Sequence, residues 1–469
     1  MVRFLSCLLS AFVIFSFHSA QASPPLAKEL QKLVKSLPPG SVYSIQVKDP
    51  VSGQIVFERG AQHNLVPASV LKVMTATLAY EVLGEEFQYT TQFVTQDRPI
   101  RKGIVKGPVA LVFSGDPSLK RKHLDELVEQ LKKLGIKSIH GDLWLDGEVF
   151  SGYDRAGGVS WDDLNICFAA PAAAMIMDRN CFYAWLKPGK KEGARTTVKY
   201  DQSDWFLTID NQVRTRSEKD CRLEVRPSLD KEYRIEGCIS PKSRSVRLAF
   251  SVNDVERAVK RYIKSQLRKK GIHLRGRLIV GRPDLDMPLV LAEHRSEFLP
   301  QLLKPVLNDS DNLYSDSILK TVGYETSGKP GSYASGIETA REVLGGKGVN
   351  FGTSRLVDGS GLSRYNFISA STLVDVLVFG WAQWGEDSPW LRARDDPKKT
   401  WLKTGYMSGV SSMAGYVFQS NGQPLVFAVI LNGLMPPLPA SREEMKAFRK
   451  DIKSFHRSFL KVLAGEGKA

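Results

Sequence analysis

The chain has 469 residues, of which 42% are hydrophobic and 25% charged, with a formal net charge of +15. This balance is that of a folded globular protein and excludes a disordered polyelectrolyte. The basic excess suits an anionic polymer or a membrane face; no aromatic-basic RNA motif accompanies it, so nucleic acid is not expected as a partner.

The opening "MVRFLSCLLSAFVIFSFHSAQA" reads as a secretory signal: Arg3, an apolar run from Phe4 to Phe17, then Ala20-Gln21-Ala22 before Ser23. The run is too short to span a bilayer, and Cys7 would be lost with it, which argues against a lipoprotein. Removing residues 1–22 leaves 447 residues and a charge of +14, room for about three domains. No later stretch is long and apolar enough to span, so an exported, soluble protein is expected.

A helical pattern, "LAKELQKLVKSL", ends at Pro38-Pro39-Gly40. "SVYSIQVKD" and "QIVFERG", joined by Pro50-Val51-Ser52-Gly53, read as a hairpin, and an apolar helix beginning at Ser69 follows. From about 93 to 287 the texture changes to short strands and Gly-rich turns, with helices at "KHLDELVEQLKKLG" and "DVERAVKRYIKSQLRKKG". From about 288 longer helices return: "SEFLPQLLKPVLND", "SDNLYSDSILKTVG", "GIETAREVLG" and "SASTLVDVLVFGWAQW". A hairpin turning at Asn421-Gly422 precedes the last helix, whose stripe of Met445, Phe448, Ile452, Phe455, Phe459 and Val462 fits a sheet face. A membrane-surface anchor is the less favoured reading of that stripe.

Four cysteines survive cleavage: Cys167, Cys181, Cys221 and Cys238. In an oxidising compartment they favour disulfides, with three connectivities open and the sequential pairing expected. No Cys-x-x-Cys spacing exists for zinc, and no metal or cofactor is expected.

Three short motifs carry the chemistry: Ser69-Val70-Leu71-Lys72, Ser310-Asp311-Asn312 and Lys403-Thr404-Gly405. Each is weak alone. A second Ser-x-x-Lys stands at Ser317–Lys320, a second Ser-x-Asn at Ser251–Asn253, and Ser69 or Ser310 could simply cap a helix. Together, in this order, they form an acyl-transfer set. Ser69 follows Pro67-Ala68 at a helix start, where free N–H groups favour developing negative charge. Lys72 lies one turn on, within reach of the hydroxyl. To act as a base it must lose its proton near neutral pH, through burial or a nearby cation such as Lys403. Ser310 can relay a proton to the leaving amine, Asn312 can hold a substrate amide, and Lys403 and Thr404, with Gly405, can hold a carboxylate. The N–H groups of Ser69 and Tyr406 are the candidate oxyanion hole. Rival hydrolase motifs are missing: there is no Gly-x-Ser-x-Gly elbow and no His-Glu-x-x-His.

With this trio, "FSGDPSL" (113–119), "WDDL" (161–164), "DGSGLSRYN" (358–366) and "AGYV" (414–417), the chain resembles the D-alanyl-D-alanine carboxypeptidase/endopeptidases, the class C low-molecular-mass penicillin-binding proteins. The likeness covers most of the mature chain. It implies an α+β fold: a penicillin-recognising serine transferase/β-lactamase-like catalytic domain, mainly antiparallel sheet flanked by helices, formed from 23–92 and 288–469. The excess between Ser69 and Ser310, 241 positions apart, would hold two smaller β-rich domains within 93–287. It also implies a periplasmic serine peptidase of peptidoglycan stem peptides, with β-lactam antibiotics as covalent inhibitors. Ser69 would be the nucleophile, Lys72 the base, Ser310 the relay, and Asn312, Lys403 and Thr404 the substrate-binding groups. Tyr406-Met407 depart from the family's usual hydroxyl and small or apolar pair, and the tyrosine is expected to narrow the cleft. A β-lactamase is the rival enzyme, but the Glu-x-x-Leu-Asn of class A is lacking, and Ser310 stands where class C has tyrosine. A wall-binding protein without activity is the non-enzymatic rival.

Overall fold

The computed structural model describes residues 24–96, 102–200, 207–217, 221–227, 232–388, 400–436 and 442–466. The expected signal, 1–22, lies outside the described residues. Among them no helix is long and apolar enough to cross a membrane.

The two ends of the chain meet in one antiparallel sheet. Its strands are β1 (Val42–Lys48), β2 (Ile55–Arg59), β3 (Thr400–Met407), β4 (Gly409–Phe418) and β5 (Pro424–Leu434), in the order β3-β4-β5-β1-β2. The hairpin expected around residues 50–53 joins β1 to β2, with Asp49 Oδ1 accepting from Val51 N at 2.8 Å. The sheet is covered on both faces, so β5 reads as a continuous apolar run rather than an alternating one. Val426, Ala428 and Ile430 face one core, while Leu425, Phe427, Val429 and Leu431 face the other.

One core is filled by α2 (Lys72–Leu83), α3 (Leu299–Leu307), α4 (Asn312–Ser327), α5 (Tyr333–Gly346) and α6 (Ala370–Trp384). Ser332 and Ser369 cap the last two of these through their hydroxyls. The opposite face is covered by α1 (Pro24–Lys35) and α7 (Arg442–Leu463). Of the stripe expected on α7, Ile452, Phe455 and Phe459 are buried on the sheet, and the Phe459 ring lies 6.2 Å from that of Phe427. Burying such side chains contributes about 1.5–3 kcal/mol each. The stripe therefore serves the fold.

Between β2 and α3 the chain builds further sheets. Strands Thr90–Thr95, Val109–Val112, Leu143–Asp146, Leu278–Val280 and Leu289–Arg295 form one of five strands, with parallel as well as antiparallel pairs. Parallel pairing needs crossovers, and helices Arg121–Lys133 and Val255–Lys269 lie among them. This part is rich in strands, some of them paired in parallel, with these two α-helices among them. Nested within it, Cys181–Lys187, Thr197–Tyr200 and Val246–Ser251 form a three-stranded antiparallel sheet, beside a small one centred on Glu232–Ile239. The cysteines pair sequentially, Cys167 with Cys181 and Cys221 with Cys238.

Candidate active site

Ser69 sits in a single tight turn, Ala68–Leu71, that runs directly into α2. Its side chain caps no helix. Ala68 is held at φ +51°, a left-handed conformation costing about 1 kcal/mol for a residue with a Cβ. Two glycines let neighbouring backbone close on this turn. A Cβ on Gly405 of β3 would lie 2.7 Å from Ser69 N, and one on Gly361 would lie 1.9 Å from Ala68 O. The edge strand and the 358–363 loop therefore press directly against the serine.

Lys72 begins α2 and is fully buried. Its ammonium donates to Ser69 Oγ at 3.1 Å, to Asn312 Oδ1 at 2.6 Å and to Ser360 O at 2.5 Å. Burial is the largest influence on its proton affinity and draws its pKa down to about 8, against the opposing pull of Asp316, Asp358 and Asp311. Of the two causes the sequence allows, burial or a nearby cation such as Lys403, burial is the one that acts on Lys72. The coupling runs the other way: Lys403, also buried, is drawn down to about 7 by desolvation and then by Lys72.

Asn312 opens α4, and the cap is Asp311, which accepts from Tyr314 N at 3.0 Å. Ser310 is therefore no cap. It stands just outside the helix at φ +58°, half-buried, and no hydrogen bond joins it to Ser69 or Lys72 among the described residues. Inserted chain reaches this motif from the other side. Asn312 Nδ2 donates to Phe168 O at 2.8 Å, and Arg179 pairs with Asp311 at 3.1 Å. The Cys167–Cys181 bridge ties together the two segments that make these contacts.

The stretch "DGSGLSRYN" (358–366) carries no catalytic residue type that its sequence marks out. In the fold it orients Lys72. Gly359 O accepts from Thr75 Oγ1 and Ser315 Oγ at 2.6 and 2.7 Å, while Gly359 N and Ser360 Oγ donate to Asp316 at 3.0 and 3.2 Å. Asp358 accepts from Gly361 N and Ser363 N at 2.7 and 2.6 Å. With these groups paired, the loop presents Ser360 O to Lys72 at a fixed position. Asp316 lies four residues beyond Asn312, one helical turn along the same face. Burial first, and then Asp358, raise its pKa to about 8.

The competing Ser317–Lys320 pair is structural. Lys320 donates to Tyr153 O and Ala172 O at 2.8 and 2.9 Å, and its ammonium lies 4.6 Å from the Tyr333 ring centre. The competing Ser251–Asn253 pair is bound into a network with Arg155.

Lys403, Thr404 and Gly405 lie inside β3, opposite Ala414, Met413 and Ser412 of β4. Because β3 is an edge strand, alternate N–H and C=O groups along it face the cleft. Strand alternation puts Lys403 and Gly405 on the Ser69 side, and Thr404 and Tyr406 on the other. Tyr406 is 55% exposed and does not stand between β3 and Ser69, contrary to the expected narrowing.

The model of the D-Ala-D-Ala carboxypeptidase 3 (S13) family matches residues 26–393 and 390–458. The D-alanyl-D-alanine carboxypeptidase DacB of Haemophilus influenzae is 31% identical over 92% of this chain and 93% of its own. A D-alanyl-D-alanine carboxypeptidase of Actinomadura sp. is 28% identical over 87% of this chain and 81% of its own. The crystal structure of penicillin binding protein 4 (dacB) from Haemophilus influenzae superposes with a TM-score of 0.80 at 31% identity, covering 91% of this chain and 98% of that one. The same protein complexed with a novel β-lactam superposes at 0.75. The α+β fold expected from the motifs is thus that of a solved penicillin-binding protein.

Proposed function

Since the chain belongs to the D-Ala-D-Ala carboxypeptidase 3 (S13) family, we propose that it hydrolyses peptidoglycan stem peptides through an acyl-enzyme on Ser69. The observation that carries this assignment is the buried Lys72 ammonium shared between Ser69 Oγ, Asn312 Oδ1 and Ser360 O.

Neutral Lys72 takes the Ser69 proton as Oγ attacks the carbonyl that precedes the terminal D-residue. The oxyanion is received by the N–H groups of Ser69 and Tyr406, brought together because Gly405 carries no side chain. The proton passes by way of Ser310 to the leaving amine, the C–N bond breaks, and an ester on Ser69 remains. Water then attacks the ester with Lys72 as base, releasing the shortened peptide as a carboxylate and restoring Ser69. Lys403 and Thr404, with Gly405, hold the carboxylate of the leaving residue, and Asn312 holds a substrate amide. β-Lactams carry the same acyl and carboxylate pattern and would acylate the same serine.

The catalytic unit in this reading comprises 23–92 and 288–469, with 93–287 inserted in it, and residues 1–22 direct it to the periplasm. Product analysis on a defined pentapeptide muropeptide tests the reading. Loss of one D-alanine by the wild type and none by Ser69→Ala is expected; equal release by the variant would refute it.

A further inference from the structure

The basic excess of the chain is not spread evenly. Residues 255–277, within the inserted part, hold nine lysines and arginines against one carboxylate, Glu256. They form helix Val255–Lys269 and strand His273–Leu274, and a groove of about 500 Å³ lies between the two. Leu267 and Ile272, both buried, and half-buried Leu274 give it an apolar floor. Arg261, Lys264 and Arg268 stand along one wall, at spacings of three and four residues that put them on one face of the helix. Arg275 stands on the other, where its N–H donates to Ile139 O at 2.8 Å. No carboxylate lines the groove.

Two observations separate these cations from an ordinary solvated face. The first is pairing. Lys270 and Arg277, just outside the groove, are joined to Glu129 at 2.6 Å and to Asp142 at 2.7 Å. Lys264, Arg268 and Arg275, which line it and are exposed, pair with no carboxylate among the described residues. The second is position. A helix dipole favours a cation in the last turn, which accounts for Arg268 but not for Lys264 or Arg275. Like charges gathered without a counter-charge repel one another, so the arrangement is one that an anion completes. The helix itself is anchored by Val259, Ile263 and Leu267 in the core of the inserted part, which holds its cations at fixed spacing. A flat membrane surface would reach the exposed cations but not the floor between the walls. A chain bearing carboxylates and small apolar groups meets both. The stem peptides of peptidoglycan have that chemistry, with free carboxylates and alanine methyls repeated along a polymer.

We propose that this groove is a docking site for stem peptides of polymeric peptidoglycan, apart from the cleft at Ser69, and that it retains the enzyme on the wall. The proposal rests on the reading of peptidoglycan as the substrate. Binding at a second point raises the effective concentration of the polymer at the reacting site, and gives nothing to a small soluble substrate.

Co-sedimentation with purified, insoluble peptidoglycan tests it, in a Ser69→Ala background where no turnover alters the polymer. Adding Lys264→Glu with Arg268→Glu is expected to weaken binding about tenfold and to remove most of its salt dependence. Arg275→Glu alone, on the opposite wall, should weaken it in the same direction, while Lys264→Arg with Arg268→Lys, which keeps the charge, should preserve it. With Ser69 restored, the charge-reversed proteins should digest the polymer more slowly. Their D-alanine release from a soluble pentapeptide and their acylation by benzylpenicillin should stay within about twofold of wild type, which also reports that they are folded. Polymer binding within about twofold of the parent in both charge-reversed variants overturns the proposal. So does a loss confined to vesicles of equal parts phosphatidylglycerol and phosphatidylethanolamine, which would give the groove to a membrane surface. Equal losses on the polymer and the soluble pentapeptide overturn it as well. Failure of the Ser69 reading has a different signature, because the wild type would then neither take up penicillin nor release D-alanine.

Discussion

Lys72 Nζ lies 2.6 Å from Asn312 Oδ1, although 240 positions separate the two residues in the chain. Each begins a helix, α2 and α4, and the contact sets those helices against one another beside Ser69. The inserted chain leaves between them and returns Phe168 O to the other end of the Asn312 amide, so both of its polar atoms are engaged. The proposed base and the proposed amide-binding group are thereby held in place by the fold itself.

Lys72 should be needed as a base, and its charge alone should not suffice. Lys72→Arg keeps a cation but cannot release a proton near neutral pH, so acylation by penicillin is expected to fall about 10²–10⁴-fold. Stopped-flow or gel-based acylation rates measure this. An arginine variant acylated at the wild-type rate would assign the base elsewhere.

The pH dependence follows from two lysines with opposite tasks. Lys72 acts when neutral, so the rate rises with pH towards its pKa of about 8. Lys403 acts when charged, so carboxylate binding weakens as pH rises past about 7. The acylation rate by an anionic substrate should peak between these values and decline above. Lys403→Arg keeps its charge at all these pH values and should remove the alkaline decline. A wild-type profile that is flat from about pH 6 to 10 would contradict the assignment.

Gly405 is required by distance. In Gly405→Ala the new methyl must move Ser69 N or the edge strand, because its place is 2.7 Å from that nitrogen. Acylation should fall about 10²–10³-fold, the cost of a misplaced oxyanion donor, with little change in thermal unfolding. Unchanged acylation kinetics would mean that the strand and the serine turn do not cooperate in this way.

The Cys167–Cys181 bridge should affect both stability and the site. Replacing both cysteines with serine is expected to cost about 3 kcal/mol in denaturant unfolding. Because the bridged segments contact Asn312 and Asp311, KM for muropeptides should rise as well. Full stability combined with unchanged KM would show the bridge to be incidental to both.

Much of the site was legible because its chemistry is carried by short local patterns. Ser69 and Lys72 share a helical turn, and Lys403-Thr404-Gly405 sits in a strand whose partner is read from a clear hairpin. The two short disulfide loops were legible for the same reason. What escaped was long-range and made by backbone. Ser360 O and Phe168 O contact Lys72 and Asn312 through carbonyls, and a carbonyl leaves no residue-type signal in a sequence. Asp311 rather than Ser310 caps α4, a choice set by the left-handed backbone at Ser310, which residue identity does not dictate. The role of Asp316 depends on a loop 43 positions away that donates to it. The parallel pairing in the inserted region escaped because it depends on which strands meet, not on the pattern within each.

The central claim is that Ser69 forms the acyl-enzyme, and mass spectrometry of the penicillin-treated protein tests it most directly. The account predicts one benzylpenicilloyl group per chain, mapped to Ser69 in the peptide containing "PASVLK", and none in Ser69→Ala. An adduct on Ser310, on Ser317 or on any other residue, or an equal yield from Ser69→Ala, would contradict it.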